Sequence, residues 1–397
     1  MSGVEHEGGA AALIERGRRA GRLALDTEFM GEGRYRTLLC LIQLAVPEQD
    51  GAGESIALLD PLDDAVELGP LAAALEDPAV RIVVHSGRQD VALLRRELRC
   101  EVTNVFDTQV AAGFAGLGAQ VSYDSLLTDV LALRVAKTAS FTRWDARPLS
   151  AEQLAYARED VVHLLELASE LERRLSELGR LEWALEECRP LTLVTDERDP
   201  QTIFERLPRV GGLNASARAV ARELVEWREQ TAERQDRPVQ GVLSDAGLVE
   251  VARRRPASQE DLGRIRGVGP SSQGRRAREL LDAVSRARER PEEPPPQGGR
   301  PPPPRAEDLP LVALTEALVR TRAREAGLAY ELLAARADLQ AIVMAVRAGG
   351  EPPDVRTLRG WRAELAGNDL LDLLEGRMRL SVEQTEGTRR LRVEREG

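Results

Sequence analysis

Residues 22–29 read RLALDTEF, residues 37–46 read TLLCLIQLAV and residues 54–60 read ESIALLD. Each run is short and apolar or alternating, and Gly-rich or polar turns separate them. The spacing predicts three successive strands pairing as antiparallel neighbours. Within the first, Asp26 and Glu28 stand at i and i+2. Side chains alternate along a strand, so both carboxylates point one way, while Leu23, Leu25 and Phe29 are apolar. Two acids on one face of such a strand are costly to bury uncompensated. A divalent cation is the natural compensation, since Mg²⁺ prefers carboxylate oxygen and water. Taken alone, a D-x-E also describes a solvated strand end.

Outward from this stretch, a helical run at about 64–76 precedes a buried-type strand, RIVVHS at 81–86, and a helix, DVALLRREL at 90–98. NVFDT at 104–108 reads as a short strand, and residues 109–117, 123–132 and 150–178 have helical periodicity. Three meandering strands followed by strand–helix units predict an α/β layered fold with a mixed sheet. After residue 190 no convincing strand is visible. Short amphipathic helices are expected at 214–234, 244–254, 258–264 and 271–288, and again at 309–323, 328–347, 354–365 and 368–375. Residues 291–305 (PEEPPPQGGRPPPPR) form a stiff Pro-rich linker between these two helical sets. The tail from about 381 is so highly charged that it is expected to be disordered. The resulting division is 1–195, 205–290, a linker at 291–307, 308–380 and a charged tail at 381–397.

Three further residues join the first two acids. Asp90 follows the strand RIVVHS and the turn Gly87-Arg88-Gln89, where a helix opens. By itself it could be an ordinary first-turn acid. Tyr156 and Asp160 stand at i and i+4 in QLAYAREDVVHLL, which puts phenol and carboxylate on one helix face. The set is more specific than its members. Strand, strand–helix turn and late helix can converge on one sheet edge. Two divalent ions about 3.5–4 Å apart, held by such acids, suit in-line attack on a phosphodiester. A tyrosine hydroxyl can position the attacking water.

Composition bounds the class. The 397-residue chain suits several domains, and its net charge of −11 at first argues against a nucleic-acid partner. The charge is uneven, however: residues 201–290 hold eighteen Arg against thirteen Asp plus Glu. Cys40, Cys100 and Cys188 are few and widely separated, and are read as reduced, buried thiols. No apolar run is long enough for a membrane span and no secretory signal is apparent, so a cytoplasmic protein is expected. Lys137 is the single lysine, which suggests a position where a compact ammonium is wanted.

The segments LALDTEF, HSGRQD and YAREDV resemble the three motifs of DEDD-type 3′–5′ exonucleases, in the subgroup whose third motif carries Tyr. LIQLA, FDTQVAAGF and KTASFTRWDARPLS resemble ribonuclease D in particular, over about residues 20–190. The resemblance implies a ribonuclease-H-like catalytic domain and two divalent ions, Mg²⁺ or Mn²⁺, held by Asp26, Glu28, Asp90 and Asp160. Asp26 would bridge both ions, Asp90 would hold the second, and Tyr156 would orient the nucleophilic water. Residues of about 210–290 (ELVEWREQTAERQDRPVQGVLSD, then LGRIRGVG) resemble an HRDC domain, and residues of about 308–380 resemble a second copy. No GxxxxGK phosphate loop of a helicase motor is present in the sequence.

Lys137, Arg143, Trp144 and Arg147 read as a loop that grips phosphates and stacks the 3′-terminal nucleotide, against the plainer reading of a structural loop with Trp144 in the core. His85 is a further substrate candidate, set against a packed histidine; Asp107 is read as a helix cap. Gly267 and Gly269, beside Arg264, Arg266, Arg275 and Arg276, read as a phosphate-facing hairpin or a plain helix–helix turn. The expected activity is an RNA 3′–5′ exonuclease that trims tRNA precursors or similar RNAs carrying a free 3′ end, releasing 5′-mononucleotides and needing no protein partner. A DNA 3′–5′ exonuclease and a non-catalytic nucleic-acid-binding protein are the alternatives.

Overall fold

A computed structural model describes residues 9–48, 53–134, 143–269, 273–289, 304–385 and 388–395. Helix α1 (Ala10–Ala20) leads into strands β1 (Arg22–Met30), β2 (Leu38–Pro47) and β3 (Glu54–Leu59), then α2 (Gly69–Glu76), β4 (Arg81–Val84), α3 (Arg88–Leu98) and β5 (Val105–Asp107). Helices α4 (Thr108–Phe114), α5 (Tyr123–Leu131), α6 (Ala151–Glu159), α7 (Leu164–Glu177) and α8 (Leu181–Cys188) complete the first unit.

The five strands form one sheet in the order β3-β2-β1-β4-β5. β1 pairs antiparallel with β2, and β2 antiparallel with β3, as expected. β4 runs parallel to β1 and to β5, so the sheet is mixed and changes sense at β1. Alternation along β1 serves two cores. Leu23 and Leu25 join a cluster containing Leu13, Ile14, Leu71, Val91 and Leu94, on the side of α1, α2 and α3. Ala24 joins Ala45, Leu164, Leu167 and Ala168 on the α7 side. Asp26 and Glu28 share the parity of Ala24 and therefore face the α6–α7 layer.

The single helix expected over 150–178 is two helices. α6 ends at Glu159, His163 takes a left-handed backbone (φ 69°), and α7 starts at Leu164. Apolar residues continue through the break, which is why periodicity did not reveal it.

A second, all-helical unit follows α9 (Pro200–Arg206): α10 (Ala215–Arg234), α11 (Val239–Val242), α12 (Asp245–Arg254), α13 (Gln259–Gly263) and α14 (Gly274–Glu289). Its core gathers Phe204, Leu224, Val251, Leu262 and Leu280. The third unit comprises α15 (Leu309–Ala326), α16 (Tyr330–Leu333), α17 (Arg336–Arg347), α18 (Gly360–Arg362) and α19 (Asn368–Leu374). It ends in a two-stranded hairpin, β6 (Met378–Thr385) and β7 (Thr388–Arg395).

That hairpin corrects two expectations: strands do occur after residue 190, and residues 381–385 and 388–395 of the charged tail are strand. Apolar residues alternate with charge in both strands (Leu380, Val382; Leu391, Val393). Opposite charges also face each other across it, as in Glu383↔Arg390 and Arg379↔Glu394. Cys40, Cys100 and Cys188 are buried free thiols, as read from the sequence. No helix among the described residues is long and apolar enough to cross a membrane.

Candidate active site

The acids gather where β1 and β4 end beside the α6–α7 break. At such a switch point, open α/β sheets leave a crevice for ligands. Asp26 and Glu28 lie in the C-terminal half of β1, opposite Gln43 and Leu41 of β2. A bulge falls between Glu28 and Phe29, where it can re-aim Glu28.

Asp90 enters from the other helix layer. It sits in the first turn of α3 and is buried, and its Oδ1 accepts from the Thr27 hydroxyl. The turn that delivers it is tightly built. A side chain at Gly87 would meet Val84 Cβ at 2.5 Å, so only glycine fits. Ser86 takes a left-handed backbone (φ 56°). Asp107 holds this turn: its carboxylate accepts from Ser86 N and Gly87 N, both at 3.0 Å, and from Gln109 N at 2.8 Å and Val110 N at 3.4 Å. Its capping role was legible, but its grip on the turn before Asp90 was not.

Asp160 sits at the C-cap of α6, and its N–H donates to the Tyr156 carbonyl at 3.3 Å. Tyr123, which sequence reasoning overlooked, donates its hydroxyl to the Val162 carbonyl inside the break.

Electrostatics bind the four acids into one group. Asp26 is pushed well above the usual carboxylate range by burial first, then by the charges of Asp90, Asp160 and Glu28. Burial, then Asp160 and Asp90, raise Glu28 to about 8. Burial, then Asp124 and Glu159, raise Asp160 to about 7. Burial raises Asp90 too, against the lowering effect of the Thr27 hydrogen bond. The charges that act on Glu28 and Asp160 are all negative, so a cation is the missing partner in chemical terms. As placed, no group of three or more acids among the described residues closes tightly enough to hold an ion. The donor set fits divalent metal by chemistry and convergence, with closure still to be made.

Tyr156 is raised to about 12 by burial first, then by Asp160, Glu28 and Asp26, so its hydroxyl stays a donor at neutral pH. The Trp144 ring packs 6.1 Å from it, tilted at 42°.

The substrate loop is corrected in two places. Trp144 is 2% exposed, in a cluster with Cys40, Leu41, Leu58 and Ala157, so it buttresses Tyr156 from the core and does not offer a face to a nucleotide. Arg147 is spent internally. Its Nε donates to Asp60 Oδ2 at 2.5 Å, and its other nitrogens reach Asp60 Oδ1 and the carbonyls of Cys40, Trp144 and Ala146. Composition could not separate this from phosphate binding, because an aromatic–arginine loop looks the same in either role. Arg143 is exposed and pairs with Asp145 at 3.1 Å. Lys137 lies outside the described residues. His85 Nδ1 is 3.0 Å from the Thr108 hydroxyl and its ring lies 5.6 Å from Tyr123, the packed histidine of the plainer reading. In the second unit, the Gly267 carbonyl faces Gly247, where an added Cβ would stand 2.6 Å away, and accepts from Ser244 Oγ at 3.2 Å. This face of the hairpin is therefore helix-packing surface.

Comparison with known proteins agrees with this architecture. Residues 1–176 match the family model described as 3′-5′ exonuclease, and residues 217–284 match the HRDC domain. A ribonuclease D of Gluconacetobacter diazotrophicus is 37% identical, covering 94% of this chain and 92% of that protein. One from Pseudomonas paraeruginosa is 33% identical over 89% of this chain and 92% of that protein. The crystal structure of Escherichia coli RNase D, described as an exoribonuclease involved in structured RNA processing, superposes with TM-score 0.75 at 29% identity. It covers 92% of this chain and 96% of that one. With its acids gathered at the end of β1 and full-length relatives of one kind, the chain belongs to the ribonuclease D family of 3′–5′ exoribonucleases.

Proposed function

We propose that Asp26, Glu28, Asp90 and Asp160 hold two divalent cations, Mg²⁺ or Mn²⁺, and that Tyr156 orients the attacking water at the last phosphodiester of an RNA 3′ end. The observation that carries this is the convergence of the acids: the charges of Asp90, Asp160 and Glu28 raise Asp26, those of Asp160 and Asp90 raise Glu28, and no cation is among the causes for Glu28 or Asp160. When bound, the ions supply an activated water and stabilise the leaving 3′ oxygen. The chain's own groups do the rest. Tyr156, protonated at working pH and backed by Trp144, donates a hydrogen bond to the water or the scissile phosphate. Thr27 fixes the Asp90 carboxylate, and the α6 C-cap fixes Asp160. No base is read by this machinery, which suits stepwise release of 5′-mononucleotides from structured precursors such as those of tRNA.

We further infer that residues 205–290 and 308–380 are two modules of one kind that grip RNA beside residues 1–195. The support is their succession of elements. In the first, helices of 20, 4 and 10 residues follow one another; in the second the lengths are 18, 4 and 12. The three buried thiols suit a reducing compartment, and we place the enzyme in the cytoplasm.

The test is Asp26→Ala on matched RNA and DNA oligonucleotides and on tRNA with extended 3′ ends, with Mg²⁺ or Mn²⁺ and with chelator. The expected outcome is a kcat loss of at least ~10³-fold, or about 4 kcal/mol of barrier, with RNA preferred over DNA by the parent. Undiminished RNA hydrolysis by the variant would sink the site assignment.

A further inference from the structure

Gln43 is the residue of this site that nothing above uses. It interrupts the apolar run of β2 and is 0% exposed, yet neither Nε2 nor Oε1 has a hydrogen-bond partner. An unpaired buried amide is destabilising, and an apolar side chain of the same length would avoid that cost. The position therefore calls for an explanation other than folding.

Its place supplies one. Gln43 lies directly across from Asp26 in the antiparallel register, with Leu58 on its other side. Directly opposed residues share a face, and their Cβ atoms stand roughly 4.5–5.5 Å apart. The amide of one therefore lies within side-chain reach of the carboxylate of the other. Glu28, by contrast, has Leu41 opposite it. Asp26 is thus the one acid of the β1 pair with a polar cross-strand neighbour, and that neighbour's donors are unspent.

We propose that Gln43 is a positioning residue for Asp26, its Nε2–H donating to the Asp26 carboxylate when that carboxylate is drawn into metal ligation. This rests on the metal-binding reading of the four acids and deepens it. Groups that hydrogen-bond a ligating carboxylate fix its rotamer, and their loss commonly lowers metal affinity or activity 10–100-fold, by the order-of-magnitude rule for such partners. An amide serves here where Arg or Lys would not. It donates a hydrogen bond without cancelling the negative charge the cations need, and its neutral form tolerates burial before they arrive. The same donor in the metal-free protein is an unsatisfied group, so the site stores a small instability that loading relieves.

The experiment compares the full chain with Gln43→Leu, Gln43→Met and Asp26→Asn. Mn²⁺ binding is followed by titration calorimetry, thermal unfolding is measured in chelator, and kcat and KM are measured on single-stranded RNA. The proposal expects the two Gln43 variants to unfold in chelator at or above the parent temperature. It expects Mn²⁺ affinity and kcat to fall about 10–100-fold, with KM for RNA within about twofold. Parent-like Mn²⁺ affinity in both variants overturns it. So does a lowered unfolding temperature in both, which would make the amide an ordinary core partner. Asp26→Asn separates the two levels of argument. If that variant binds Mn²⁺ like the parent, the metal reading itself fails. If it loses binding while the Gln43 variants keep it, only the role of Gln43 fails.

Discussion

Glu28 and Asp160 make the metal-free protein sensitive to pH in a direction that can be worked out. Burial and neighbouring acids raise them to about 8 and about 7. Unfolded carboxyls titrate near their ordinary values of about 4, so between those limits the folded chain holds more protons than the unfolded one. Their contribution is therefore intact below about pH 4 and is lost as pH rises through 7 and 8. In chelator, the unfolding temperature should fall over this range. Glu28→Gln should remove part of the fall, unfolding at a higher temperature than the parent near pH 8 and showing a shrinking gap toward about pH 5. If Glu28 is a metal ligand as proposed, saturating Mn²⁺ should reverse the order, because only the parent would keep the full ligand set. A gap independent of pH in chelator would show that Glu28 is not perturbed by its neighbours. At this scale the sequence foretold that the four acids come together, since strand parity and helix position fix where each one lies. It misled for Trp144 and Arg147, because burial and internal pairing are properties of the fold that residue type does not encode. It passed over Gln43 for the related reason that an amide in an apolar strand has meaning only once its cross-strand neighbour is known.

Among elements, the β4–α3 turn is held by a side chain outside the acid set. Asp107, 3% exposed, receives four backbone N–H groups from two segments, Ser86–Gly87 and Gln109–Val110. Hydrogen bonds to a charged acceptor contribute roughly 1.5–3 kcal/mol each, without being additive. Asp107→Ala should therefore cost about 3 kcal/mol or more by urea unfolding, and it should weaken Mn²⁺ binding because the start of α3 carries Asp90. Asp107→Asn, which keeps one acceptor oxygen, should recover part of both. Full metal affinity in the alanine variant would mean that α3 is positioned by its packing alone. The strands and most helices were legible from period and turn residues. The break at 160–163 was not, because Val161, Leu164 and Leu165 continue the apolar pattern across it into one core. The final hairpin was missed because its alternation was read as a run of charge.

At the scale of the whole molecule, both helical units are fastened to the catalytic unit, by different means. The loop after β1 reaches α10. Tyr35 donates its hydroxyl to Glu229 at 3.2 Å, Arg34 pairs with Asp236 at 3.0 Å, and Arg36 pairs with Glu233 at 3.2 Å. These contacts are largely polar and partly exposed, so each contributes little. The third unit shares a hydrophobic core with the catalytic one. Trp361, 5% exposed, stacks on Trp183 at 5.0 Å and meets the edge of Phe114 at 5.2 Å. Arg180 donates to the Phe114 carbonyl at 3.0 Å and also to that of Ala326, so α4, α8 and α15 are tied through one side chain. A shared core implies shared cooperativity. Trp361→Ala should cost about 3–5 kcal/mol, the usual range for emptying a buried aromatic site. The informative readout is the shape of the calorimetric transition. The parent should unfold its catalytic and third units together, because neither can leave without exposing the tryptophan pair. The variant should separate them, the third unit melting first. Separate transitions already in the parent would mean that this contact joins two independently stable domains, and the units would then be free to move apart around a bulky RNA.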